Sequence, residues 1–146
     1  MSAIQTPVQV YLKTEIRDED QHETVEMSEP GRFYARGNTE VIKYREHPED
    51  GEPVDTMITI QPEKVSIKRS GGVQMHQTFR REMETENAYH HPYGVFHMQT
   101  RTDAIEYRSI NEADTGRLFI NYQLTLNQDV TQRHRLTLTL EREDLS

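Results

Sequence analysis

The chain has 146 residues, with 17 Lys and Arg against 25 Asp and Glu and a formal net charge of −8, which is the size of one ordinary domain with a single core. An acidic balance of that size, with no long Lys/Arg run, argues against a general affinity for nucleic-acid backbone or for anionic membrane. With no cysteine, there is no disulfide framework, no thiolate nucleophile and no Cys-based zinc or iron–sulfur site.

The N-terminal segment "MSAIQTPVQVYLKTE" carries no apolar signal region, and no stretch approaches the length of a membrane span, so a cytoplasmic location is expected. The mean hydropathy of −0.91 would by itself lean toward disorder. The pattern overrides it, because the apolar residues alternate with polar ones.

In "PVQVYLKTEIR", Val8, Val10, Leu12, Thr14 and Ile16 share one face, and Gln9, Tyr11, Lys13, Glu15 and Arg17 the other. That is the period of a half-buried strand. "DEDQH" turns the chain, "ETVEM" returns, and "GRFYARG" and "TEVIKYRE" follow as two short strands. The loop "EHPEDGEP", residues 46 to 53, is dense in turn formers and charge. Val54, Thr56, Ile58 and Ile60 then fall in register, and Gln61-Pro62-Glu63 leads into "KVSIKR". Gly71-Gly72 breaks that run before "VQMHQTF", where Val73, Met75 and Phe79 share a face. Residues 80 to 89, "RREMETENAY", are expected to hold a helical turn.

Two further strands, "GVFHMQT" and "DAIEYRSI", precede the turn "NEADTG". In "RLFINYQLTLN", Leu118, Ile120, Tyr122, Leu124 and Leu126 alternate with polar residues, and in "HRLTLTLER" Leu136, Leu138 and Leu140 do the same. This makes about eight to ten short strands joined by short turns, with no helix long enough for a parallel crossover. An all-β, single antiparallel barrel spanning 1–146 is expected, because successive hairpins meander and closure leaves no exposed edge.

The stretches "RSGGVQMHQTF", "AYHHPYGVFHMQTRTDAI" and "GRLFINYQLTLN" resemble the YwiB-like family of small bacterial proteins. Arg69-Ser70-Gly71, Met75, Phe79, Pro92-Tyr93-Gly94, Thr102, Gly116 and Tyr122 carry the resemblance. It implies a calycin-like β-barrel related in shape to lipocalins, and it comes without an established activity. The chain departs from the family at His91, where Thr is frequent, and at Arg80-Arg81-Glu82, where a Gly often follows the Phe.

Three of the seven histidines, His90, His91 and His97, fall in "AYHHPYGVFHMQT". A zinc site needs three or four converging ligands. Adjacent His90 and His91 diverge on an extended chain, and His97 lies beyond the turn-forming Pro92-Tyr93-Gly94. His76 could approach His97 if their strands pair, but both sit on polar faces. The stretch therefore reads as a turn entering a strand, with no metal and no cofactor expected.

Arg69 continues the inward face of Val65 and Ile67, so its guanidinium is aimed at the core and must be paired or reach water. It could cap the barrel end through backbone carbonyls, pair with a carboxylate such as Glu106 or Glu82, or anchor an anionic ligand by a bidentate contact. Tyr107 and Tyr122 also fall on inward faces, and Tyr93 sits at the corner. Inward tyrosines serve as core aromatics or line a small cavity. With Phe79, these four residues form the candidate ligand-binding set.

No Gly-x-Ser-x-Gly elbow, phosphate loop, dinucleotide fingerprint or His-Glu-x-x-His is present. The carboxylate runs "RDED", "HPEDGE", "NEAD" and "ERED" read as solvated turns. Two functions follow. One is a non-catalytic barrel that holds a small apolar, anionic ligand in its interior or at its mouth. The other is an interaction module with a side-chain-filled barrel, whose outer strands meet a protein partner such as a second copy in a homodimer. A minor third is a small-molecule enzyme that uses Arg69 with a tyrosine and a carboxylate. An internal cavity above about 300 Å³ would favour the first.

Overall fold

The computed structural model describes residues 5–49 and 51–143. Residues 1 to 4 of the N-terminal segment, Asp50 of the 46–53 loop, and residues 144 to 146, with Asp144 of the last acidic run, lie outside them. The described residues form ten strands and no helix: β1 (Thr6–Arg17), β2 (His22–Arg36), β3 (Thr39–Glu46), β4 (Val54–Gln61), β5 (Lys64–Gly71), β6 (Gln74–Phe79), β7 (Glu84–His91), β8 (Gly94–Arg108), β9 (Thr115–Leu126) and β10 (Val130–Arg142). Each strand pairs antiparallel with the one before it, and β1 pairs with β10, so the sheet closes into a barrel. Each strand thereby has a paired neighbour on both sides over at least part of its length.

Three expectations from the sequence are corrected. "GVFHMQT" and "DAIEYRSI" are one strand, β8, which continues past a bulge between Thr102 and Ala104. "ETVEM" and "GRFYARG" are one strand, β2, which runs unbroken through Pro30 along the whole of β1. Pairing of β2 with β3 begins only at Gly31↔Tyr44, so up to Pro30 the strand has no β3 neighbour, and a residue lacking an N–H is tolerated at such an edge. The helical turn in 80–89 is also absent. Glu84 to His91 pair with Arg101 to Gly94 of β8, which takes the backbone groups a helix would need. Only a tight turn precedes that strand, with Glu82 at φ 59 and its N–H on the Thr102 carbonyl at 2.8 Å.

The β1–β2, β3–β4, β5–β6, β7–β8 and β9–β10 turns gather at one end of the barrel, and the other turns, the start of β1 and the end of β10 at the opposite, terminal end. The interior is not uniform between them. Toward the terminal end it is packed solid by Val8, Val10, Ile42, Val65, Phe79, Leu118, Leu138 and Leu140, all between 0 and 1 % exposed. Toward the other end inward positions remain open to solvent, and Val25 is 47 % exposed. The barrel is closed below and open above.

The ladder between β6 and β7 is a weak seam in the wall. β6 and β7 pair only at Gln74↔His90 and Met75↔Tyr89. Below that the strands separate, and side chains span the gap. Thr85 Oγ1 donates to the Thr78 carbonyl at 2.5 Å, and Gln77 Nε2 donates to Thr100 Oγ1 of β8 at 2.9 Å.

Candidate functional site: a chamber in the open half of the barrel

The open half encloses a chamber of about 480 Å³. Its walls are mostly aliphatic and aromatic, with Leu12, Ile58, Ile67, Met98, Leu124 and Phe96 among them. Above it lies an outer vestibule of about 770 Å³, bounded by His47, Pro48, Gly51 and Glu52, by Gly71-Gly72 and by the β7–β8 turn. Val25, Glu46, Arg69 and Tyr89 border both spaces and so form the neck between them.

Arg69 is placed by register. Tyr44 pairs with Thr56, Thr56 with Arg69, Arg69 with Met75, and Met75 with Tyr89, so these inward side chains form a continuous row around the wall. Arg69 Nη2 donates to Glu46 Oε2 at 3.0 Å, and Thr56 Oγ1 donates to the same oxygen at 3.0 Å. The carboxylate partner is thus Glu46, and not Glu106 or Glu82. Glu106 points outward from β8, and Glu82 is exposed in its turn. Glu46 ends β3 on the inward face of Ile42 and Tyr44, with β4 between it and Arg69 on β5. Arginines do cap the terminal end of the barrel, but they are Arg81, whose Nη2 donates to the Ile105 carbonyl at 2.6 Å, and Arg142, on the Ile110 carbonyl at 3.0 Å. Burial first, and then the nearby Glu46 charge, pushes the Tyr44 hydroxyl above its ordinary pKa, so it stays protonated.

The second polar group of the chamber lies on β9 and β10, across the barrel from β4 and β5 in the strand order. Tyr122 OH lies 3.2 Å from His134 Nδ1, and His134 Nε2 lies 3.1 Å from Gln132 Oε1. The Gln132 oxygen can only accept, so Nε2 carries the proton and Nδ1 accepts from the tyrosine. Burial pushes the imidazole down to about 4 and raises the Tyr122 hydroxyl. At neutral pH both are uncharged.

The candidate residues therefore separate. Arg69 and Tyr122 line the chamber on opposite walls. Phe79 lies beneath Tyr122, their ring centroids 4.8 Å apart in an edge-on contact, and forms part of the floor. Tyr107 occupies a cleft at the terminal end with Glu40, Gln61 and Arg81, so it is removed from the chamber. Tyr93 is 93 % exposed at the tip of the β7–β8 turn and borders only the vestibule. Neither of these two can contact a molecule held inside.

The histidine-rich stretch is the end of β7, that turn, and the start of β8. The His91 ring stacks on Tyr93 at 5.0 Å, and its Nδ1 accepts the Tyr93 N–H at 3.2 Å, which closes the turn locally. Among the described residues, no three His, Asp or Glu side chains converge as metal ligands.

Glu46 and His134 went unnoticed in the sequence, although a signal existed. Each continues a period-2 inward row, Glu46 after Ile42 and Tyr44, and His134 before Leu136 and Leu138. A polar residue in register with a core row is the mark of such a position.

Fold and site together define a closed, meandering ten-stranded barrel, filled at one end and hollow at the other. The family model for the Domain of unknown function (DUF1934) matches residues 10–138, and the chain belongs to that family. It is 28% identical over 137 residues to the uncharacterized beta-barrel protein YwiB of Bacillus subtilis (strain 168), covering 94% of each chain. The crystal structure of that organism's ywiB protein superposes with a TM-score of 0.84 at 26% identity, over 96% of this chain and 94% of the other.

Proposed function

We propose that the protein is a non-catalytic binding barrel for a small apolar molecule held in the open half. The observation that carries this reading is the 480 Å³ chamber with a largely apolar wall and an outlet at the neck. Its volume falls within the roughly 300 to 1,000 Å³ range of small-molecule sites, and few convergent polar groups on an apolar wall are typical of them. The lipocalin-like shape implied by the family resemblance supports the reading by analogy alone.

The anionic head group that a lone Arg69 would favour loses its support, because Glu46 already matches the guanidinium. The enzyme reading is weaker still. A general acid or base works best with a pKa near the operating pH, whereas His134 is held neutral far below it and Tyr44 and Tyr122 protonated far above.

Native mass spectrometry of freshly purified protein, compared with a denatured sample, should reveal a co-purifying small molecule. Titration with the uncharged probe N-phenyl-1-naphthylamine should give saturable fluorescence that Leu124→Trp abolishes, since the added ring has the chamber to occupy. A wild-type protein that binds neither a native ligand nor the probe, or probe binding indifferent to Leu124→Trp, would overturn the reading.

The interaction-module reading is favoured by two exposed apolar residues at the β7–β8 tip, Tyr93 in the turn at 93 % and Val95 at the start of β8 at 62 %. A homodimer through that tip should appear in sedimentation velocity and disappear in a Tyr93→Ser, Val95→Ser variant.

A further inference from the structure

We propose that Glu46 sets the charge selectivity of the chamber, so that it admits uncharged ligands and turns away anionic ones of the same shape. The inference rests on the binding reading above and adds to it the class of ligand.

The charged lining is a single matched pair. Arg69 and Glu46 are the only Lys, Arg, Asp or Glu side chains among the described residues that border the chamber, and they contact one another at 3.0 Å. His134, the remaining titratable base on the wall, has both ring nitrogens engaged, one by Tyr122 and one by Gln132. The interior is therefore electrically neutral, with its one cation already charge-paired with a carboxylate. An anion entering it would shed water without gaining a free counter-charge, and an uncompensated charge in an apolar enclosure is costly. Displacing Glu46 from Arg69 gives no escape, because the carboxylate would then lack its cation in the same neck.

The approach carries the same sign. Glu26, Glu29 and Glu52 border the vestibule, and Arg69 is the only Lys or Arg among its described lining. Acid-lined mouths repel anions before they reach the neck. An uncharged molecule meets neither obstacle, and its polar atoms have both donors and acceptors available at the Arg69–Glu46–Thr56 cluster.

The test compares two probes with the same fused-ring and anilino frame: uncharged N-phenyl-1-naphthylamine and its sulfonated counterpart 1-anilinonaphthalene-8-sulfonate. The readout is the ratio of their affinities, measured by fluorescence titration in wild type and three variants, each checked for β-sheet content by circular dichroism. Glu46→Gln leaves Arg69 with an uncharged partner, so the preference for the uncharged probe should fall by about tenfold. Arg69→Gln leaves Glu46 uncompensated and should move the ratio by a similar factor in the opposite direction. The double variant is neutral again and should return close to the wild-type ratio. If either single variant fails to fold, the other still carries the sign of the effect.

A wild type that binds the sulfonate as tightly as the uncharged probe would overturn the proposal. So would a ratio that does not move in opposite directions in the two single variants. Binding of neither probe would overturn the binding reading itself, which separates the two failures.

Discussion

Tyr122 and His134 face each other across the β9–β10 ladder, and the tyrosine hydroxyl sits 3.2 Å from the unprotonated imidazole nitrogen. Their rings stack with centroids 5.0 Å apart. The pair places a titratable base in the wall of an apolar chamber and holds it neutral, which ties stability to pH.

Burial lowers the His134 pKa to about 4, against about 6.5 in an unfolded chain. Below pH 6.5 the unfolded chain takes up a proton that the folded protein refuses, so folding weakens as pH falls from about 6.5 toward 4 and levels off beneath that. The full shift corresponds to about 3 kcal/mol at most. In His134→Gln this component should vanish. Urea unfolding from pH 7 to pH 4 should show the wild-type advantage over the variant shrinking by about 2 to 3 kcal/mol. A difference that stays constant across that window would mean that the imidazole is not held neutral by burial.

Gln77 and Thr100 join β6 to β8 where the β6–β7 ladder stops. Both are buried, at 5 % and 0 % exposure. Thr100→Val keeps the shape but removes the acceptor, leaving a buried amide donor unpaired at a cost of about 1 to 3 kcal/mol. Gln77→Leu in that background should recover part of the loss, giving a measurable coupling in a double-mutant cycle. Hydrogen exchange in Thr100→Val should speed up first at the amides of β6 and β7. Exchange that accelerates evenly over all ten strands would show that the seam is not a local weak point.

Gly31 lies where β2 crosses between β1 and β3, and a Cβ added there would come 2.6 Å from the Lys43 carbonyl and 2.9 Å from Val10 Cγ2. The carbonyl belongs to a strand paired on both sides, so it has little freedom to retreat. Gly31→Ala should cost about 1 to 3 kcal/mol, the range for overpacking a tight core, and calorimetry should show a melting temperature lower by several degrees. An unchanged melting temperature would mean that β2 and β3 can part at no cost there.

The alternating strands were legible in the sequence because a period of two with one face apolar has few other solutions. β1, β4, β9 and β10 are the clearest cases. β2 was split in two because Pro30-Gly31 imitates a turn, and only the pairing of the whole strand with β1 shows that the chain runs straight on. The partner of Arg69 was not legible. Its inward direction follows from Val65 and Ile67, but its neighbour depends on the β3–β4–β5 register, which the turn geometry sets. The hollow upper half was hidden for a similar reason. Whether a closed barrel is filled depends on how side chains from all ten strands meet across the axis, and no local pattern records that sum.

Arg69 and Glu46 should behave as one unit in stability. Their side chains are 29 % and 22 % exposed, so solvent softens the interaction without abolishing it. Arg69→Met keeps most of the stem and removes the charge, leaving the Glu46 carboxylate in the neck with only the Thr56 hydroxyl. The loss should be about 1 to 3 kcal/mol, below the cost of breaking a fully buried pair because both groups retain some water. Glu46→Leu alone strands the guanidinium and should cost a similar amount. Replacing both removes two desolvated charges together and fills the neck with apolar atoms, so the double variant should lie close to wild type and well above the sum of the single losses. Urea denaturation of the four proteins measures this directly. Single losses that simply add in the double variant would show that the two side chains contribute independently, each through water or backbone, and that the 3.0 Å contact is incidental to folding.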